Sequence, residues 1–136
     1  MPLVHVYYRE GLLHQEEVKE VSACIHHALI EHFNIPENDY FHMYFPCPSH
    51  SFFYDPYYLL QDGAKRTDNM MHVSITCGPG RTVTQKTKLY QAISEACRRH
   101  VHISAADVFI TLIETPAENW SFGQGRAQLV EEEKKL

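Results

Sequence analysis

Two residues in this chain stand out for the chemistry they could do, Pro2 and Arg81. The chain opens Met1-Pro2-Leu3-Val4-His5-Val6-Tyr7, with proline heading an alternating apolar run. While Met1 is attached, the proline nitrogen is an amide with no basicity and no N–H to give to a strand ladder. Removal of Met1 turns it into a free secondary amine. Free α-amino groups titrate at about pH 8 and burial lowers that value, so such an amine is suited to acid–base work near neutrality. Arg81 follows Gly78-Pro79-Gly80, where a strand pattern gives way to a helix start. Its planar guanidinium fork matches a carboxylate, and the unpaired N–H groups of a helix start favour the same anion. The position also fits an exposed arginine that merely flanks a capped helix.

Other chemistries are poorly served. Ten histidines invite a metal site, but His26 and His27 are adjacent and face different ways on a helix. His100 and His102 share a helix end, and no HxxxH or HExxH spacing occurs. Cys24, Cys47, Cys77 and Cys97 form no CxxC pair and read as buried, reduced thiols. Gly123-Gln124-Gly125 is too short for a nucleotide loop, and no serine elbow is present. No metal and no cofactor are therefore expected.

Composition sets the frame for these residues. A chain of 136 residues with 44% apolar content suits one packed domain. The net charge of −5, with no basic cluster beyond Arg98-Arg99, argues against a nucleic-acid partner. No apolar run approaches the roughly 20 residues of a membrane span. The N-terminus alternates and carries His5, Arg9 and Glu10, unlike a signal peptide, so a cytoplasmic protein is expected.

The elements that must position Pro2 and Arg81 come from an internal repeat. Ile35-Pro36-Glu37-Asn38-Asp39-Tyr40-Phe41 recurs 68 residues later as Ile103-Ser104-Ala105-Ala106-Asp107-Val108-Phe109. At the same offset Val21 meets Leu89, Ile25 meets Ile93, Ala28 meets Ala96 and His32 meets His100. Helical periodicity runs from Gln15 to Phe33, and Thr82-Val83-Thr84-Gln85 opens a second helix with a capping box. Strands are expected at Leu3 to Tyr8, Tyr40 to Phe45, Met71 to Thr76 and Val108 to Ile113. The expected class is α/β: duplicated β-α-β units over about 2–46 and 70–114, joined by an ordered linker over about 47–69. They form a four-stranded sheet with two helices on one face. The other sheet face is apolar and aromatic and needs a partner, so an oligomer is expected. The tail Glu131 to Lys135 reads as a solvated end.

The run Glu114-Thr115-Pro116-Ala117-Glu118-Asn119-Trp120-Ser121-Phe122-Gly123-Gln124-Gly125, taken with Met1-Pro2 and Gly80-Arg81-Thr82, resembles the tautomerase superfamily. The subgroup it looks most like contains malonate semialdehyde decarboxylase. The resemblance covers nearly the whole chain and implies a homotrimer with Pro2 as catalytic amine. It implies Arg81 as carboxylate anchor, Trp120 and Phe122 as pocket walls, and Asp39 as a carboxylate that orients or activates water. His26 matches a histidine position of related members and is expected to touch substrate. Each has a plainer alternative. Asp39 is a turn residue like Asp107, Trp120 and Phe122 are interface packing, and His26 is a packed helix residue. The chain departs from the decarboxylase pattern of two arginines bracketing a proline, having Gly78-Pro79-Gly80 instead. Lys65 or Arg66 could supply a second charge. The resemblance thus implies an isomerase of the tautomerase type acting on a small 2-oxo or 3-oxo carboxylic acid. The alternatives are a decarboxylase or hydratase, or a trimeric binding module whose catalysis has lapsed.

Overall fold

The computed structural model describes residues 1–135, with side chains described through Glu132. Its main elements in chain order are β1 (Leu3–Arg9), α1 (Gln15–Phe33), β2 (His42–Cys47), β3 (Met71–Cys77), α2 (Val83–Val101), β4 (Val108–Glu114) and α3 (Gln128–Lys135). The sheet order is β2-β1-β3-β4. β1 is parallel to β2 and β3 is parallel to β4, while β1 and β3 meet antiparallel at the centre. Each half is a strand, a crossover helix and a parallel strand, as the repeat requires.

The helices form because their apolar residues recur on one face. Val21, Ile25, Ala28, Leu29 and Phe33 of α1, and Leu89, Ile93, Cys97 and Val101 of α2, are buried against Val4, Val6, Met71, Val73 and Ile75 of the central strands. Thr82 caps α2 as expected, accepting from Gln85 N–H at 3.1 Å while Gln85 Oε1 accepts from Thr82 N–H at 2.9 Å. Both long helices stop at a left-handed residue, Asn34 (φ 55°) and His102 (φ 57°).

Three expectations need correction. β2 starts at His42 rather than Tyr40 and runs through Pro46 to Cys47. It is an edge strand, so the missing N–H of Pro46 costs no ladder bond. Only Cys77 and Cys97 are buried; Cys24 and Cys47 are half-buried, and all four are free thiols. The tail is helical: Glu131 is half-buried and pairs with Arg126 at 2.6 Å, Glu132 is exposed, and the side chains of Glu133 to Lys135 lie outside the described residues.

The segment between the halves is ordered by its own polar contacts. Arg66 donates to the carbonyls of Asp55 and Tyr58, and Asp55 accepts from the N–H groups of Tyr57 and Tyr58. Asp107, only 1% exposed, ties the segment to the second half by accepting from Thr67 N–H and Thr67 Oγ1, both at 2.7 Å.

The face of the sheet away from the helices carries His5, Tyr7, Phe45, His72 and Phe109 as neighbouring rings. Met43, Phe45, Phe109 and Ile113 are exposed. On the helix side, burial first and the charge of His26 second lower His42 to a pKa of about 4 from the ordinary 6.5. The folded chain therefore resists a proton that the unfolded chain accepts. The stability this contributes is complete above about pH 6.5 and is lost as pH falls towards 4. Urea midpoints are expected to decline over that window, and the decline between about pH 6.5 and 5 should be shallower in His42→Gln.

Candidate active site

Strand register gathers the site at one end of the sheet. Extending the ladders by one or two residues from Val4↔His42, Leu3↔Thr76 and Cys77↔Glu114 sets Tyr40, Pro2, Cys77 and Glu114 in one row. Asp39 and Gly78 flank that row, one beside each neighbour of β1. Pro2 is buried, and it enters β1 where its lack of an N–H costs nothing.

Asp39 comes to this row on the turn that follows α1. Its N–H bonds to Pro36 O at 3.1 Å, and its carboxylate Oδ2 lies 2.6 Å from the Met1 ammonium. Both side chains are largely covered, 16% exposed for Met1 and 15% for Asp39. One residue of backbone separates successive nitrogens by at most ~3.7 Å, so the Pro2 nitrogen lies within ~6.3 Å of the same carboxylate. The Met1 side chain fills the space over Gly78, where any Cβ would collide with its terminal carbon. A small molecule could occupy that volume only with Met1 gone.

Arg81 sits at the mouth of α2. It donates through Nη1 to Gly78 O and through Nη2 to Phe33 O, both at 3.2 Å, and its guanidinium stacks 5.0 Å from the Phe33 ring. Among the described residues no carboxylate comes within 4.0 Å of it. Two of its five N–H groups are thus used for positioning, and the rest can meet a bound anion.

Two further charges belong to this end of the sheet and are not apparent from the sequence. Lys86 Nζ, on the first turns of α2, lies 2.6 Å from Glu114 Oε1, with 24% and 34% of the side chains exposed. The hydrogen bond that Lys86 donates to Glu114 raises the Lys86 pKa. Burial pushes the Cys77 thiol up, Arg81, the N-terminal ammonium and Lys86 draw it down, and Glu114 pushes it up. All four charges therefore converge on the end of β3. With Asp39 the count is three cations to two anions, and Arg81 is the cation without a carboxylate. Lys86 and Glu114 become neighbours only through the parallel register of β3 and β4, which no local motif encodes.

Trp120 and Phe122 form a wall across the row. The Trp120 Nε1–H donates to Thr115 Oγ1 at 2.8 Å, and Thr115 N–H donates to Cys77 O at 2.9 Å. Trp120 and Phe122 stack 5.6 Å apart, and Phe122 packs 5.6 Å from Phe41, whose carbonyl accepts from Val4 N–H. The wall thus runs from the β4 end to the approach of β2. Gln128 holds its loop, accepting from Phe122 N–H and donating to Gly123 O. Phe41 is the member that the sequence reading missed; its place two residues after Asp39 was the available signal.

His26 takes the place of a packed helix residue, the plainer of its two readings. It is buried, and its Nε2–H donates to Glu37 O at 2.8 Å, so its ring serves the loop that carries Asp39. Lys65 and Arg66 line a separate cleft of about 1420 Å³ with Arg9, Glu10, His50 and Tyr54. That cleft lies at the far end of β1, ~20 Å along the strand from Pro2. Within one chain they supply no second cation to Pro2. Among the described residues no group of three or more His, Cys, Asp or Glu is placed to hold a metal ion.

Comparison with known proteins points one way. Residues 39–123 match the family model described as Tautomerase enzyme. The Bacillus subtilis (strain 168) protein named Probable tautomerase YusQ is 38% identical over 133 residues, covering 96% of this chain and 100% of that one. A crystal structure of malonate semialdehyde decarboxylase inhibited by 3-bromopropiolate superposes with a TM-score of 0.87 at 26% identity, covering 96% of each chain. A fused 4-OT symmetric trimer shares the fold at 16% identity, with a TM-score of 0.73 over 94% of this chain and 98% of that one.

Proposed function

The chain belongs to the tautomerase superfamily, in the subgroup that resembles malonate semialdehyde decarboxylase, and from that premise we propose a cofactor-free isomerase that works through the amine of Pro2. After loss of Met1 the amine moves a proton between carbon and oxygen of a small 2-oxo or 3-oxo carboxylic acid. The carrying observation is the ammonium–carboxylate contact at the head of β1: the N-terminal nitrogen is already held 2.6 Å from Asp39, in a covered site. Arg81 takes the substrate carboxylate with the N–H groups it has free. Trp120, Phe122 and Phe41 exclude water, which strengthens that ion pair. Asp39 holds the ammonium and, in a hydration step, orients water.

The exposed aromatic sheet face supports assembly as a homotrimer, and the fused 4-OT protein of the same fold is itself a trimer. A decarboxylase or hydratase is the second reading, favoured by Asp39 beside the amine and by the fold match to malonate semialdehyde decarboxylase. The replacement of a bracketing arginine pair by Gly78 and Gly80 speaks against it.

The test is proton NMR of a panel of 2-oxo and 3-oxo acids in deuterated buffer, with intact mass establishing the N-terminus. Deuterium at the α-carbon, made only by chain lacking Met1, is the expected result. Acetaldehyde from malonate semialdehyde would assign the decarboxylase. No turnover by Met1-free chain on any member would leave a lapsed binding module. For Arg81→Lys, KM is expected to rise about tenfold with a smaller change in kcat, because an ammonium replaces the fork that binds ground and transition states alike. Steady-state kinetics on the accepted acid checks it.

A further inference from the structure

The loop that carries Asp39 is gripped from α1 on both sides of that residue. Two residues before it, Glu37 O accepts from His26 Nε2–H at 2.8 Å. One residue after it, the Tyr40 ring lies against the His26 ring with centroids 4.0 Å apart. The Tyr40 hydroxyl bonds Ser22 Oγ, one helical turn from His26 on the same face. Ser22 Oγ in turn meets His42 Nδ1 at 3.0 Å. A carbonyl only accepts, so His26 carries its proton on Nε2. Among the described residues His26 Nδ1 and His42 Nε2 are buried without partners, so each ring is held through one nitrogen only, His26 by Glu37 O and His42 by the Ser22 and Tyr44 hydroxyls. His26 is only 7% exposed. It therefore does not act from solvent; its one donor is committed to the loop.

We infer that His26 is a positioning residue: through the Glu37 carbonyl and the Tyr40 ring it sets where the Asp39 carboxylate stands against the N-terminal amine. The inference rests on the reading of Pro2 as the working amine, and it replaces the expected contact of His26 with substrate. The pairing needs such a grip. Asp39 sits on a turn rather than in a strand, and its only backbone anchor among the described contacts is the bond to Pro36 O. Coulomb attraction falls with distance, and a displacement of ~1 Å at a reacting centre costs up to about a hundredfold in rate.

The test follows the Pro2 nitrogen by NMR across pH in Met1-free protein carrying isotope-labelled proline, a readout independent of turnover. The amine's charged surroundings are Asp39 from the loop and, around the end of β3, Arg81, Lys86 and Glu114. Asp39→Asn sets the scale and is expected to lower the amine midpoint by about one pH unit. His26→Phe, which keeps a ring against Tyr40 and loses the donor, should lower it by at least half as much. His26→Gln, whose amide N–H reaches the same carbonyl, should restore most of it. A wild-type midpoint in folded His26→Phe, with Asp39→Asn shifted, overturns the positioning role and leaves the Pro2 reading intact. An unshifted Asp39→Asn overturns both. Should His26→Phe fail to fold, Tyr40→Ala, at a 44% exposed residue, takes its place. It is expected to shift the midpoint in the same direction, and an unchanged value would again overturn the role.

Discussion

Alanine in place of Pro2 is expected to lower kcat/KM for α-proton exchange about 10²–10⁴-fold, the usual worth of a positioned acid–base group. The substitution leaves an amine, because a small second residue still permits removal of Met1. What changes is its kind and its placement. The proline ring fixes φ and is buried at the head of β1, so its nitrogen has one direction in which to act. An alanine amine turns freely about that bond and spends little of its time facing the volume over Gly78. The fold should tolerate the change, since the Pro2 nitrogen contributes no ladder bond. Arg81 is untouched, so KM should move less than kcat. Matched melting curves with a rate loss of this size are the predicted pair of results. A rate within about threefold of wild type would sink the assignment.

The second large effect is on stability and separates two residues that the repeat makes equivalent. Asp107→Ala is expected to cost about 3 kcal/mol, from the loss of two charge-assisted hydrogen bonds. At this chain length that is a fall in melting temperature of roughly 10 °C. Asp107 is 1% exposed and accepts both the N–H and the hydroxyl of Thr67, 40 residues earlier, so its loss frees the linking segment as well as leaving a hole. Asp39→Ala should cost under about 1 kcal/mol, because Asp39 is a turn residue whose carboxylate faces an amine rather than the core. Thermal unfolding of the two variants side by side decides the matter. Equal losses would mean that Asp39, too, is held for structure.

That contrast marks how far the sequence could be read. Its 68-residue offset aligned Asp39 with Asp107 and located both helices, because these depend on local periodicity and caps. It could not say that one aspartate would meet an ammonium and the other a threonine, since each partner comes from a distant segment. The expected Tyr40 start of β2 failed for a related reason. Tyr40 has strand character, but its ring and hydroxyl are held by His26 and Ser22, which keeps it off the ladder. Proline at position 46 looked like a strand end and is instead an edge residue, a distinction made by sheet order alone. Motif named Pro2, Arg81, Trp120 and Phe122 as candidates; their neighbours Lys86 and Glu114 required the register, while Phe41 was signalled only by its place beside Asp39.

The Met1–Asp39 contact also sets an order of events in the life of the chain. A peptidase must draw the first residues out in extended form to cut behind Met1. In the folded chain the ammonium is held by Asp39, the side chain lies over Gly78, and Leu3 is already paired with Thr76. Trimming and folding are therefore competitors in time: a nascent chain cut before β1 finds β3 matures with an open site, and one that folds first is shut by its own first residue. Slow synthesis of the stretch between β1 and β3, or ample peptidase, favours the first population.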